Sequence, residues 1–292
     1  MTNHPKISTS TQLLGIIGNP VGHSMSPAIH NRAFQELGLD FVYLAFRVED
    51  VDGAIRGVRA LESFRGLSVT IPHKVAVIPF LDEVSQVDEG IGSVNTVIKE
   101  NGRLKGIGTD GPGGRKALLD AGATLKDKRI LILGSGGAAR ALSFDLAHHA
   151  SASSISLLGV IPEELARLTS DLRAKTATAI DSALLDDRTL GAEMEKADVI
   201  IQTTPVGMHP KENNSLIPKS FFRQNQTVMD IVYNPLRTKL LIDAEDRGLR
   251  TVSGIDMFVN QAVLQFEAWT GKVAPVKVMR EAVLQQLKIV AP

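Results

Sequence analysis

Cysteine is absent from the 292 residues, which excludes disulfide staples, thiolate nucleophiles and cysteine-based zinc sites and leaves packing to hold the fold. Net charge is absent as well. The 32 basic residues offset the 32 acidic ones, so charge points to neither nucleic acid nor a membrane as partner, and a small molecule is expected. No stretch reaches the roughly 18 apolar residues of a membrane-spanning helix. The start, Met1 to Gln12, is polar and lacks the apolar core of an export signal, so a cytoplasmic location is expected. The seven histidines, at positions 4, 23, 30, 73, 148, 149 and 209, include no two-histidine helical metal spacing. No serine sits in a glycine-flanked strand-turn-helix elbow, so neither metal nor serine-nucleophile catalysis is expected. What is there is 43% apolar over a length typical of two domains, enough for two sizeable cores.

Short apolar runs alternate with helix-length amphipathic stretches, the pattern of an α/β fold with a mostly parallel sheet. Leu13 to Ile17 reads as a strand ending in the turn cluster Gly18-Asn19-Pro20. Pro27 then suits a helix start running toward Leu37, with Ser26 as its cap. Phe41 to Phe46 reads as strand, Val51 to Leu61 as helix, Leu67 to Thr70 as strand, and the stretch after Pro72 as helix. Val94 to Lys99 and Leu104 to Ile107 flank Asn101-Gly102, the signature of a hairpin with a type I′ turn.

Beyond Asp110 the pattern restarts, with a helix from about Gly113 to Ala121 and a strand Arg129 to Leu133. That strand runs into Gly134-Ser135-Gly136-Gly137-Ala138-Ala139. Glycine at the first and third places permits a tight turn and close approach to a pyrophosphate, and the sixth place needs a small residue where helix meets strand. An alanine-rich run to Ala147 and strands at Ile155 to Leu158, Val199 to Gln202 and Val228 to Val232 follow. This context favours dinucleotide binding over a merely tight turn. The end of the second strand should carry an acid for the adenosine ribose or a base for its 2′-phosphate. It carries Leu158-Gly159-Val160-Ile161-Pro162 instead, and Glu163 and Glu164 read first as acids at the positive end of the next helix.

The first half holds further constellations. In Gly22-His23-Ser24-Met25-Ser26-Pro27, two hydroxyls beside a helix start suit a carboxylate, or else Ser26 only caps the helix. In Ser68-Val69-Thr70-Ile71-Pro72-His73-Lys74, Ser68 and Thr70 share a face and Lys74 arrives at a helix start, an unfavourable place for a cation that hints at an outside partner. Gly92-Ser93-Val94-Asn95-Thr96 and Gly106-Ile107-Gly108-Thr109-Asp110-Gly111 complete the set. If Lys74 and Asp110 meet, the pair can hold a hydroxyl between donor and acceptor.

These four segments, followed by this glycine loop, resemble the shikimate dehydrogenase family, which includes quinate dehydrogenases. Thr203-Thr204-Pro205-Val206-Gly207-Met208, Asp230-Ile231-Val232-Tyr233-Asn234-Pro235, Gly254-Ile255-Asp256-Met257-Phe258-Val259-Asn260-Gln261 and Trp269-Thr270-Gly271 extend the resemblance to nearly the whole length. It implies an N-terminal α/β substrate domain, residues 1–110, completed by C-terminal helices in 254–292, and a Rossmann-type dinucleotide-binding domain over 111–253. It implies Lys74 and Asp110 as the catalytic pair and Ser24 and Ser26 on the substrate carboxylate, with Tyr233 assisting. Thr70, Asn95 and Gln261 would hold ring hydroxyls. Gly134, Ser135, Gly136, Gly137, Ala138, Thr204, Val206, Met208, Val232, Gly254 and Met257 would contact the cofactor, with ordinary apolar packing the competing reading for Val206 and Met208. The implied reaction is NADP(H)-dependent, reversible reduction of 3-dehydroshikimate to shikimate, with the chain a monomer or homodimer.

Three positions depart from the family pattern. Gly159-Val160-Ile161 replaces an Asn-Arg-Thr that clamps the 2′-phosphate of NADP in many members, which weakens the expected NADP preference and admits NAD. Gly108 stands where Asn usually precedes Thr-Asp-Gly, and Ser68 where Asn is common. A quinate or related ring-acid dehydrogenase, or a non-catalytic ring-acid sensor, are the alternative readings. The intact Lys74 and Asp110 argue against the sensor.

Overall fold

The computed structural model describes residues 7–290; residues 1–6 of the polar start, and 291–292, lie outside the described residues. Two compact units divide the chain. One takes it up to Thr109 together with the stretch from Gln261 onward, and the other runs Asp110–Asn260. Each has its own six-stranded sheet.

In the first unit, β1 (Gln12–Gly18), β2 (Phe41–Arg47), β3 (Phe64–Val69), β4 (Glu83–Val84), β5 (Thr96–Glu100) and β6 (Arg103–Ile107) lie in the order β2-β1-β3-β5-β6-β4. β1 is parallel to both of its neighbours, and its five C-terminal residues are all buried, as a continuous apolar run in a covered parallel strand should be. The β5–β6 pair is the expected antiparallel hairpin, with Asn101 and Gly102 at φ 50° and 77°. Helix α1 (Ser26–Glu36) is followed by α2 (Val51–Ala60), which Asp50 caps by accepting the Gly53 amide at 2.9 Å. Ile55 and Val58 of α2 join Ile17, Leu67, Val69, Val97 and Leu104 in the core. Ser26 differs from its expected role. It is the first helical residue, Met25 holds the cap position without a side-chain bond, and Ser24 Oγ accepts the Ser26 amide at 3.2 Å.

The helix expected after Pro72 is a single turn, α3 (His73–Ala76), followed by a 3₁₀ turn at Ile78–Phe80. Pro79 lacks the amide hydrogen that an α-helix would need there. The short α4 (Gln86–Ile91) follows. The C-terminal helices α10 (Gly254–Thr270) and α11 (Val276–Val290) complete this unit, with α11 packed along α1. From Gln261 onward α10 belongs to it, and Trp269 donates its indole N–H to the Val97 carbonyl at 3.0 Å. Gly66 makes that approach feasible, since a Cβ there would lie 2.5 Å from the indole nitrogen.

In the second unit, β7 (Arg129–Leu133), β8 (Ser154–Gly159), β9 (Ala179–Leu184), β10 (Val199–Gln202), β11 (Thr227–Asp230) and β12 (Arg250–Val252) are all parallel, in the order β12-β11-β10-β7-β8-β9. Counted from its own first strand, this is the 3-2-1-4-5-6 order of a doubly wound Rossmann sheet. Helices α5 (Asp110–Asp120), α6 (Gly137–His149), α7 (Pro162–Lys175), α8 (Asp187–Met194) and α9 (Lys239–Glu245) belong to it. Its core includes Leu131, Leu133, Leu158, Ile200, Val228 and Leu241. Among the described residues, no helix is long and apolar enough to cross a membrane.

Candidate functional site

In the first unit Ser68, Asn95, Thr96, Thr109 and Gln261, all singled out from the sequence, join one buried network. Asn95 is fully enclosed at 5% exposure. Its Nδ2 donates to Thr109 Oγ1 at 3.0 Å, and its Oδ1 accepts the Thr109 amide at 2.8 Å and the Thr96 hydroxyl at 2.9 Å. Thr109 Oγ1 lies 3.4 Å from Gln261 Oε1. Gln261, Gln265 and Trp269 recur every fourth residue on α10, so one helix face supplies all three. Lys74 stands on α3, half-buried, with its carbonyl accepting the Val94 amide at 2.9 Å. Thr70 is half-buried just past β3, and Ser24 is half-buried before α1.

Gln265 orients the rest of this network. Its Nε2 faces the Asn95 carbonyl at 3.3 Å and donates to Thr96 Oγ1 at 2.8 Å, so its Oε1 must accept the Ser68 hydroxyl at 3.0 Å. With the Ser68 proton committed, the 2.7 Å contact from Tyr43 has the phenol as donor. Ser24 Oγ accepts the Ser26 amide at 3.2 Å, which leaves its own proton to offer an anion. Burial pushes the Tyr43 phenol above its usual range. His30, also fully buried, stacks on Tyr43 at 4.7 Å and meets Trp269 edge-on at 5.2 Å. Desolvation takes its pKa down to about 3, against a smaller opposing contribution from Gln265. Tyr43 and Gln265 carried no motif, and only their burial with satisfied polar atoms marks them. The Gly108 departure also has a cause, because Asp88 Oδ1 would lie 2.3 Å from a Cβ at that position.

In the second unit the glycine turn stands between β7 and α6. Gly134 has φ +119°, a conformation other residues rarely adopt, and Thr203 Oγ1 would sit 2.4 Å from a Cβ there. Gly136 caps α6 with no side-chain bond, and around Gly136 and Gly137 nothing lies within 4 Å of where a Cβ would be. The first amides of a 13-residue helix therefore carry no side-chain cap on an open face, the arrangement that holds a phosphate. Ala138 is half-buried, Ala139 is fully buried against the sheet, and Ser135 Oγ lies 3.4 Å from Glu164 Oε2.

The loops beyond β10 and β11 are held by a buried cluster of Gln202, Asp230 and Thr238, of which the sequence motifs contain Asp230 alone. Gln202 Nε2 donates to the carbonyls of Thr204 and Val206 at 3.0 and 3.1 Å and to Asp230 Oδ1 at 3.2 Å, and its Oε1 accepts the Thr204 amide. Asp230 also accepts the Val232 amide at 3.0 Å and the Thr238 hydroxyl at 2.6 Å. Burial outweighs these bonds and raises its carboxyl to about 6. Thr204, Val206 and Val232 are thus tied to one anchor, whereas Met208 and Tyr233 are partly exposed and Met257 is buried. Gly254 opens α10 against the carbonyls of Ile231 and Val232. Asp110 is the first residue of α5 and is half-buried.

Comparison with known proteins identifies the family. The shikimate dehydrogenase substrate binding domain matches residues 16–97, and the shikimate 5′-dehydrogenase C-terminal domain matches residues 254–284. The shikimate dehydrogenase (NADP(+)) of Methanopyrus kandleri is 45% identical over 288 residues, covering 97% of this chain and 98% of the relative. That of Moorella thermoacetica is 44% identical over 276 residues, covering 94% and 93%. The crystal structure of Listeria monocytogenes shikimate 5-dehydrogenase in complex with shikimate and NAD superposes with a TM-score of 0.91 at 35% identity, covering 95% and 98%. Likeness of this depth along almost the full length of both partners makes the chain a member of the shikimate dehydrogenase family.

Proposed function

We propose that this chain is a shikimate dehydrogenase, catalysing the reversible, NADP(H)-dependent reduction of 3-dehydroshikimate to shikimate. The observation that carries the reading is the pairing, in a member of this family, of an open glycine turn on a doubly wound sheet with a buried wall of hydroxyl and amide groups. The turn fits a dinucleotide pyrophosphate, since Gly136 and Gly137 leave the α6 amides uncovered. When bound, the cofactor supplies the hydride.

The protein's residues do the rest. Ser24, whose oxygen accepts the Ser26 amide and whose proton remains to give, donates to the substrate carboxylate, with Ser26 beside it and Tyr233 assisting. Asn95, Thr70 and Gln261 hold ring hydroxyls. Lys74 delivers a proton to the ring oxygen as the ketone becomes an alcohol, and Asp110 is its partner in the catalytic pair. Gly134, Ser135, Gly136, Gly137 and Ala138 seat the pyrophosphate, and Thr204, Val206, Met208, Val232, Gly254 and Met257 line the nicotinamide side. In this division of labour the first unit is the substrate domain and the second the dinucleotide domain.

Replacing Lys74 tests the assignment. Lys74→Ala is expected to lower kcat by about 10²- to 10⁴-fold while KM for shikimate stays within a few fold. Steady-state kinetics with shikimate and with quinate, each with NADP and NAD, reads both quantities. Near-normal turnover of the variant removes Lys74 from the role, and no turnover of any pair by the wild type removes the dehydrogenase reading.

A further inference from the structure

We infer that Glu164 reads the adenosine ribose of the dinucleotide and shifts the chain toward NAD(H) relative to NADP(H). The inference rests on the dinucleotide-dependent reading above and adds the residue that sets the choice between cofactors. In a doubly wound sheet the carboxyl end of the second strand carries the group that meets the ribose 2′ position, an acid for a free hydroxyl. Here that strand, β8, ends in Gly159, where a side chain would sit tightly against Ser135. A Cβ at Gly159 would stand 3.1 Å from Ser135 Oγ and 3.2 Å from Ser135 Cβ. A side chain there would need Ser135 to give by a few tenths of an ångström, and as glycine the strand end supplies no group.

The next two side chains, Val160 and Ile161, are apolar and exposed at 70% and 45%, and Gly159 to Glu164 contains no cation. Glu164 is the half-buried acid that does face the turn. It occupies the third position of α7, where a glutamate often reaches back to cap its own helix. The cap residue, Ile161, offers no side-chain bond, and Glu164 Oε2 instead lies 3.4 Å from the hydroxyl of Ser135. The carboxylate is thereby held at the carboxyl end of β8, beside the glycine turn, with lone pairs left to accept from a ribose diol. A 2′-phosphate meets like charge at the same place. The nearby Arg140 does not offset this, because its guanidinium donates to Asp171 at 2.6 Å and lies over the Phe144 ring.

Calorimetric titration of the cofactor-free chain with NAD+ and with NADP+ tests the inference without turnover. In Glu164→Gln and Glu164→Ala, NAD+ binding weakens and the ratio of the NAD+ to the NADP+ dissociation constant rises by about tenfold or more, as loss of one charged hydrogen bond predicts. Adenosine 2′,5′-bisphosphate and 5′-AMP, which probe only the adenosine end, show the same shift. A ratio within about twofold of wild type in both variants overturns the role of Glu164 and leaves the dehydrogenase reading intact. Wild-type chain that binds neither dinucleotide overturns both.

Discussion

At the scale of single residues, the first unit depends on a side chain no motif announces. Gln265 satisfies the Ser68 and Thr96 hydroxyls and the Asn95 carbonyl at once, all in a buried setting. Gln265→Ala removes three buried hydrogen bonds, each worth about 0.5–1.5 kcal/mol net, and leaves the Ser68 proton without an acceptor, while the Asn95 carbonyl keeps the Val69 amide and Thr96 keeps Asn95 Oδ1. A destabilisation of about 2–4 kcal/mol is expected from the urea midpoint, and, on the proposed assignment of Asn95 to a ring hydroxyl, KM for shikimate should rise as Asn95 loses its orientation. A midpoint unchanged from wild type would show that Gln265 is not the organiser. Ser24, Asn95 and Gln261 stood out in the sequence because they fall in short motifs whose chemistry is local, and the structure buries Asn95 and Gln261 in one network. Gln265 and Tyr43 did not, since their partners lie far away in sequence: Gln265 reaches back 197 positions to Ser68 and Tyr43 reaches forward 25 to the same residue. Ser26 was half legible, its place at the helix start being right and its capping role not.

At the scale of elements, the parallel sheet of the second unit was readable where strands carry short buried apolar runs, as in Ile130–Leu133 of β7 and Val199–Ile201 of β10. β9, mostly exposed at the sheet edge, β12 with three residues and β4 with two gave no periodic signal. The docking of α10 in the first unit was legible only through resemblance, because it turns on a contact between Trp269 and Gly66. Trp269→Ala removes both the indole bond to Val97 and the ring packed against His30 and Tyr43. A loss of about 3–5 kcal/mol follows for a buried tryptophan. Hydrogen exchange should report it as lost protection in α10, α11, β3 and β5, with β7, β8 and β10 unchanged. Equal loss in both sets would mean that the two units do not unfold separately.

At the scale of the whole molecule, the two units carry buried titratable groups of opposite sign. In the first, the His30 pKa falls from 6.5 to about 3 on folding. Between those values the unfolded chain binds the extra proton, so the stabilisation is complete above the unfolded value and is lost as pH falls through it. In the second, the Asp230 pKa rises from 3.8 to about 6. There the folded chain binds the extra proton, so stability is greater in acid and is lost as pH rises through the folded value; Asp145 is shifted the same way. Exposed carboxylates with lowered pKa, such as Asp40, Asp82, Asp186 and Asp246, weaken both units in acid, but solvent screening keeps their share small. From about pH 7 to about pH 5, linkage gives a loss of about 2 kcal/mol in the first unit and a gain of about 1 kcal/mol in the second. Hydrogen exchange corrected for intrinsic rates reads the two separately. His30→Phe keeps an aromatic ring between Tyr43 and Trp269 and leaves Gln265 its Ser68, Thr96 and Asn95 partners. In that variant the acid-side loss in the first unit should largely vanish while the gain in the second persists. An undiminished loss would place the acid sensitivity of the first unit on its carboxylates instead.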